Sequence, residues 1–541
     1  MARQEDQVKN IWMLSREYGN IAGAGGVKDV SCQLAEALAR WTGRSIHMVL
    51  PLYGFLDITA LEFLPLQDPL CPEQVLQLQI DMHQPDILVN ESVCYFHKKI
   101  NRVHVYLVDG ERFREKSDVY TYTEEDEKKL SWQKKSMGHH DYFAMNLLHQ
   151  KATLELMICL GEKPDVIHCH DAHTAILPAL IRENHGYRSY FRGTGCLVTI
   201  HNAGVGYHQD ISDLPYARSI TGLPNHVVDT NLLESRFDPF LVAGCYATLN
   251  TVSENYAREL QNTENDLLTG WLGHELKKRK ISLKGVTNGI DPGFFSSSII
   301  APDNPDTFFD PADKEDNLAG KMRYKTKFLK EIEEGLNFGG VKRYGTLSGP
   351  VDTPLFTFIG RLSEQKGIDI LIEVLGLLLK KELTMQMLLL GQGNDNFESR
   401  LIALSEDQRF AGRVCFLKGF SPDMANRIFA AGDFFIVPSR YEPCGLTDFI
   451  AQLFGNIPIV HHVGGLVKVK DGVTGIAYQD NSPDGLLGGL EKAMVLYGDE
   501  TLKRTIQQQG IEEIQKNYTW TEVMRKYLEL YRETKKTQVC Q

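Results

Sequence analysis

The segment Ser439-Arg440-Tyr441-Glu442-Pro443-Cys444-Gly445-Leu446-Thr447, with Gly464-Gly465-Leu466 downstream, sets a carboxylate and a glycine turn between two apolar stretches. Residues 433–438 form an apolar, strand-like run closed by proline, and residues 446–455 are proline-free and apolar enough for a helix. Strand, tight turn and helix in that order place the N–H groups of Cys444, Gly445, Leu446 and Thr447 where unpaired donors favour a phosphate. Glu442, at the mouth of the turn, can accept hydrogen bonds from sugar hydroxyls. An ordinary connection with a capping carboxylate has the same pattern. Residues 356–367 repeat the passage from strand to glycine turn to helix and carry Arg361 and Lys366. Two cations on one diphosphate stabilise the charge that develops as a nucleoside diphosphate departs, without a metal. Alone, such a pair is usually a solvated surface. Gly391, in Gly391-Gln392-Gly393 after the apolar run 387–390, adds a third glycine turn on the nucleotide side. Together these turns read as a nucleotide-sugar site.

The elements that must hold them follow from periodicity. Short Val/Ile/Leu-rich runs at 11–15, 47–51, 103–108, 165–169, 197–201 and 247–252 alternate with helical stretches such as 30–41 and 176–184. A second series lies at 355–360, 386–390, 414–417, 434–438 and 457–461. Such alternation predicts two parallel, doubly wound α/β domains. The expected division is an N-terminal domain over 1–295, a polar, proline-containing hinge and linker over 296–350, a nucleotide-binding domain over 351–515, and an amphipathic helix over 516–541. At 541 residues the chain exceeds a single core. A net charge of −12 argues against a nucleic-acid partner. No apolar run reaches the roughly 18 residues of a membrane span, and the N-terminus has no apolar signal region. Ten cysteines without short repeat spacing suggest reduced thiols. Together these features predict a cytoplasmic enzyme.

The motifs, taken in order, resemble the glycogen/starch synthase family, retaining glycosyltransferases with two Rossmann-like domains facing a cleft (GT-B). Arg361 to Gly367, Tyr441 to Thr447 and Gly464-Gly465-Leu466 match its C-terminal signatures. Residues 11–30 are similar to its opening strand and K-x-G-G-L-x-D-V loop, His170-Asp171-Ala172-His173 to its H-D-x-H turn, and Thr199-Ile200-His201-Asn202 to its T-I-H-N segment. Thr251-Val252-Ser253 and Asn288-Gly289-Ile290-Asp291 complete the series. The resemblance covers nearly the whole chain. It implies transfer of glucose from ADP-glucose or UDP-glucose, with retention, to the non-reducing end of an α-1,4-glucan. Arg361 and Lys366 would hold the diphosphate, the amides of Cys444 to Thr447 the distal phosphate, and Glu442 the glucose hydroxyls. Gly25 and Gly26 would admit the donor close to the backbone, and Gly391 would lie near the base. His201 would lie by the reacting sugar, with Glu17, Asp29 and Asp171 near donor or acceptor hydroxyls. No metal or other cofactor is implied, and the last helix would pack back on the N-terminal domain.

This chain departs from the family at several points. Gly23 stands where the family has a phosphate-contacting lysine; Lys28 falls on the following helix and does not count as a replacement. Ala172 replaces an aromatic residue, Ala203 to Tyr207 replaces a different ending, and residues 120–148, with the charge run 124–129, lack the family's D-N-x-x-R-F stretch. These departures leave open another donor, a small-molecule acceptor, or a glucan binder without turnover. His168-Cys169-His170-Asp171-Ala172-His173, with His139-His140-Asp141, also suggests a dinuclear metal loop. Its order does not match that of metallohydrolases, and no segment resembles a pyridoxal-phosphate lysine loop.

Overall fold

The computed structural model describes residues 8–297, 304–335, 339–378, 381 and 384–539, with side chains to 535. The chain divides into two compact units, residues 1–289 with 520–541, and residues 290–519.

The first unit is built on a sheet with strands β1 (Asn10–Leu14), β2 (Ser45–Pro51), β3 (Leu64–Pro65), β4 (Gln77–Asp81), β5 (Asn90–Ile100), β6 (Val103–Gly110), β7 (Val166–His170), β8 (Gly195–Ile200), β11 (Thr248–Thr251) and β12 (Leu283–Gly285). The order is β12-β11-β8-β7-β1-β2-β6-β5-β3, with β4 also on β5. The pairs from β12 to β6 are parallel, and β5, β4 and β3 add an antiparallel edge. A separate two-stranded ribbon pairs β9 (Leu232–Leu233) with β10 (Arg236–Phe237). Helices cover both faces of the parallel part, so β1, β7 and β8 are buried almost throughout. The strand order reverses at β1, between β2 and β7, and ligands of such sheets bind outside the carboxyl ends of the strands at that point. The residues after β1, β7 and β8 include Glu17, Gly25, Gly26, Asp171 and His201.

The last helix, Trp520–Val539, belongs to this unit. Trp520 Nε1 donates to Gln33 Oε1 (2.6 Å), Tyr531 Oη pairs with His168 Nδ1 (2.9 Å), and Lys535 meets Asp165 (2.6 Å). Gly289 and Gly195 accommodate it, since a Cβ on either would collide with Trp520 or Thr534.

The second unit has strands β13 (Lys342–Gly345), β14 (Leu355–Ile359), β15 (Gln386–Gly391), β16 (Val414–Lys418), β17 (Phe434–Val437), β18 (Ile457–His461) and β19 (Ile476–Tyr478). They run in the order β13-β16-β15-β14-β17-β18-β19, parallel except for β13. Here the switch lies between β14 and β17. The residues from 304 to 350 that are described belong to this unit and do not form a free linker. The helix Ala319–Glu334 inserts Lys321, whose ammonium donates to the carbonyls of Ala430 (2.9 Å) and Phe454 (2.8 Å). Lys325 bonds Thr353 O and Asp433 (2.7 Å each). Burying two lysines is tolerated because both ammoniums find acceptors. Residues 298–303 of the expected hinge lie outside the described residues. Among the described residues no helix is long and apolar enough to cross a membrane.

Candidate active site

In the second unit, both cation-bearing and carboxylate-bearing turns leave the strands that flank the switch point. After β14, the chain forms a short turn at Glu364–Lys366 and closes on Gly367 at φ 67°. A Cβ at 367 would meet Pro438 O, so only glycine lets this turn pack beneath β17. Arg440 N donates to Gln365 O (2.9 Å), which ties the two turns together. Lys366 Nζ lies 2.6 Å from Glu442 Oε2, and Ser439 Oγ donates to the same oxygen at 3.0 Å. Two residues 76 positions apart thus form one polar cluster. Arg361, at the exposed start of the first turn, lies on the same loop.

The paired glycines after β18 serve the second turn. Gly464 sits at φ 52°, a Cβ there would strike Glu442 O, and a Cβ on Gly465 would strike Cys444 O. Gly465 N donates to Glu442 O (2.8 Å). Beneath the turn lies Lys468, a residue the sequence reading passed over. Its ammonium donates to Cys444 O (2.5 Å), Gly445 O (2.7 Å) and Gly465 O (3.2 Å) and pairs with Asp448 at 3.1 Å. Both side chains are almost fully buried. Burial pushes the Asp448 carboxyl up to about 6, against the pull of Lys468. The available signal was a lysine three residues after a glycine pair, indistinguishable in sequence from a solvated one. Cys444 is buried, and the helix after the turn, Thr447–Leu453, starts at Thr447. Gly391 is explained without a ligand: a Cβ there would strike Gly360 O at the end of the neighbouring strand.

In the first unit, Glu17 is buried and turned inward. Its Oε2 accepts from Ala24 N (2.7 Å) and Gly25 N (2.9 Å), and its Oε1 from Tyr120 Oη (2.5 Å). Glu17 therefore shapes the glycine turn, and its oxygens are engaged there. A Cβ on Gly25 would meet nothing within 4 Å, so nothing in the unit itself demands glycine at that position. Asp29 lies one turn into the helix Val27–Thr42; burial raises its carboxyl pKa, Lys28 lowers it and Glu17 raises it.

Asp171 occupies φ 60°, ψ 178°, a region that costs a non-glycine residue about 1–3 kcal/mol. Hydrogen bonds hold it there: Asp171 N donates to Thr199 O (2.9 Å), and Asp171 Oδ1 accepts from His201 N (2.7 Å) and Asn202 N (3.4 Å). Burial pushes its carboxyl up to about 7 despite those bonds. His201 Nε2 lies 2.9 Å from His170 Nδ1, and burial lowers the His201 pKa to about 3, so the imidazole is neutral. His168 is engaged by Tyr531 and Thr199, and Asp141 by Arg112 and Lys116. Among the described residues no group of three or more His, Cys, Asp or Glu is placed to hold a metal ion. The loop after His201 is fastened by His208, whose ring meets Asp238 (2.6 Å) and Ala203 O (2.9 Å). Burial opposes a charged ring there, but the Asp238 carboxylate outweighs it and holds the His208 pKa above its ordinary value.

A family model described as the starch synthase catalytic domain matches residues 10–277, and one for glycosyl transferases group 1 matches residues 347–510. Glycogen synthase 2 of Geobacter sulfurreducens is 29% identical, with 96% of this chain and 98% of that protein covered. The glycogen synthase of Desulfitobacterium hafniense is also 29% identical, over 94% and 95%. The solved catalytic domain of starch synthase IV from Arabidopsis thaliana, bound to ADP and acarbose, shares the fold at 23% identity, with a TM-score of 0.75 over 98% of this chain and all of that one. With the motif turns placed as described at the strand ends of two parallel-sheet units, the chain belongs to the glycogen/starch synthase family of GT-B glycosyltransferases, as a divergent member.

Proposed function

We propose that the protein transfers glucose from a nucleotide-diphosphate glucose, with retention, to the non-reducing end of an α-1,4-glucan. The observation that carries this reading is the cluster at the second unit's switch point, where Lys366 and Glu442 meet at 2.6 Å over a turn locked by Gly464 and Gly465. The full-length similarity to glycogen synthases supports the substrate class. In this reading Arg361 and Lys366 bind the diphosphate, and the amides of Cys444, Gly445, Leu446 and Thr447 the distal phosphate. A diphosphate that draws Lys366 away frees Glu442 to accept hydrogen bonds from the glucose hydroxyls. Gly25 and Gly26 lie against the donor, and His201, Asp171 and Asp29 line the reacting sugar or the acceptor.

The first unit's groups suit a mechanism without an enzymatic base. His201 is neutral with one ring nitrogen engaged, and the Asp171 carboxylate accepts two backbone donors. The bond from glucose C1 to the diphosphate breaks as the acceptor oxygen bonds C1 from the same face. The acceptor proton passes to the departing phosphate oxygen. Fixed cations at the diphosphate stabilise the charge that develops. No metal or other cofactor enters this scheme.

The test is product analysis with labelled ADP-glucose and UDP-glucose on maltooligosaccharides. Chains lengthened by α-1,4-linked glucose support the proposal, and label on a small-molecule acceptor in place of the glucan contradicts it. The second outcome is the alternative favoured by residues 120–148, where a helix capped by Thr123 and Asp126 occupies the segment that departs from the family.

A further inference from the structure

Trp271, in the first unit, sits at φ 65°, ψ 26°, directly after Gly270 at φ 64° and ahead of the short helix Leu272–Lys278. Glycine adopts this left-handed conformation freely, whereas a bulky side chain opposes it. Among the described residues Trp271 is the one aromatic residue on such backbone. Asp266, fully buried, holds the turn from beneath. Its carboxylate accepts from Thr269 Oγ1 (2.5 Å), Gly273 N (3.0 Å) and His274 N (2.8 Å) and pairs with His274 Nδ1 (2.8 Å), while Trp271 N donates to Asp266 O (2.9 Å). The His274 ring, so oriented, meets the indole at 5.0 Å and 82°. These bonds are made by backbone, Asp266 and His274, so none of them requires an indole at 271. The strained backbone nonetheless keeps one there, 39% exposed and fixed in orientation.

The surroundings are apolar. Leu267 and Leu268, in the same turn, are exposed, and so is Val205, which a Cβ on Gly270 would approach to 3.6 Å. Val205 comes four residues after His201, so no more than about 14 Å separates the two Cα atoms. Four side chains fall well short of the roughly 800 Å² that each partner of a stable protein complex buries. A fixed indole with aliphatic neighbours suits a small flat group, and the negative face of the ring attracts the C–H face of a pyranose. We propose that Trp271 binds the acceptor glucan, stacking on a glucose unit behind the non-reducing end, and so selects a polymer over a small acceptor. The inference rests on the proposed function, which sets His201 by the reacting sugar. A small acceptor held there ends short of Trp271, whereas a glucan chain continues past it.

The test is acceptor kinetics at saturating donor, with maltose and with maltoheptaose, for the wild type, Trp271→Gly and Trp271→Phe. Glycine suits the backbone at 271, so the first variant removes the indole without adding strain. Loss of stacking predicts a maltoheptaose KM raised about three- to tenfold in Trp271→Gly, with the maltose KM and the donor KM unchanged. Trp271→Phe should keep most of the affinity. An unchanged maltoheptaose KM in Trp271→Gly, or maltose and maltoheptaose KM values raised alike, would overturn the proposal. If the wild type turns over neither donor, the functional reading fails on its own, and titration calorimetry with maltoheptaose still reads Trp271. Binding weaker by about threefold or more in Trp271→Gly then supports the assignment. Equal binding by both proteins, or none by the wild type, overturns it.

Discussion

Lys366 and Glu442 neutralise each other across a gap in sequence that no motif search connects, and the consequence can be measured. The Lys366 side chain is 27% exposed and that of Glu442 is 11% exposed, so removing either partner leaves the other partly desolvated. Lys366→Ala and Glu442→Ala should each lower donor kcat/KM by at least about tenfold, and the double variant should lose less than the product of the two, a coupling of about 0.5–3 kcal/mol. Strict multiplicativity in a double-mutant cycle would contradict the pairing. Asp171 gives a second expectation. Its folded pKa of about 7 lies above the ordinary 3.8, so its ionisation destabilises the fold progressively as pH rises from about 4 through 7. Asp171→Asn keeps an acceptor for His201 N and removes the buried charge. Its melting temperature should rise relative to wild type between pH 5 and pH 8, and a difference independent of pH would refute the assignment. The residue types at Glu442, Lys366 and Asp171 were legible in the sequence. Their partners were not: the Glu17 carboxylate holds Ala24 N and Gly25 N, and which way a carboxylate faces is decided by backbone donors that sequence does not place.

The elements that position these residues were read well where periodicity is strong. The runs at 355–360 and 434–438 correspond to β14 and β17, and the parallel strands of both sheets were anticipated to within a few residues except β12 and β19, whose three residues each carry too little pattern. The antiparallel edge β3, β4 and β5 was missed because it breaks the strand–helix alternation, and β13 because four residues flanked by glycine carry little pattern. The packing reasons for the motif glycines were also hidden. Gly465→Ala, whose Cβ would strike Cys444 O, should displace the Glu442 to Thr447 turn. Donor KM should rise by about tenfold or more, while the secondary structure by circular dichroism stays intact. An unchanged KM would mean that the turn does not hold the donor. Lys468→Met removes the ammonium that gathers three carbonyls and leaves Asp448 buried and unpaired, which should cost about 3–5 kcal/mol of stability. Thermal unfolding checks this, and adding Asp448→Asn to Lys468→Met should recover part of the loss.

At the scale of the molecule, the sequence disclosed two doubly wound units and the course of the chain between them, since alternation and the ordered motifs run through both halves. The unit boundaries were less legible: the segment after residue 304 proves integral to the second unit through Lys321 and Lys325, whose long side chains look solvent-exposed in sequence. Buried neutral imidazoles recur in the first unit. Burial lowers His47, His149, His168 and His201 to about 3 and His139 to about 4. The unfolded chain takes up protons on these rings below the usual 6.5 and the folded chain does not, so their contribution to stability is lost as pH falls below that value. Denaturant midpoints should drop steadily from pH 7 to pH 5, and a flat profile would contradict the burial of these rings. The central claim concerns turnover, and its most direct test is nucleotide release by the purified protein from ADP-glucose and UDP-glucose, each with and without glycogen. The account predicts release from at least one donor that requires the glucan and falls by at least about tenfold in Lys366→Ala and in Glu442→Ala. Release from neither donor, or release that proceeds equally without glucan and in both variants, would contradict it.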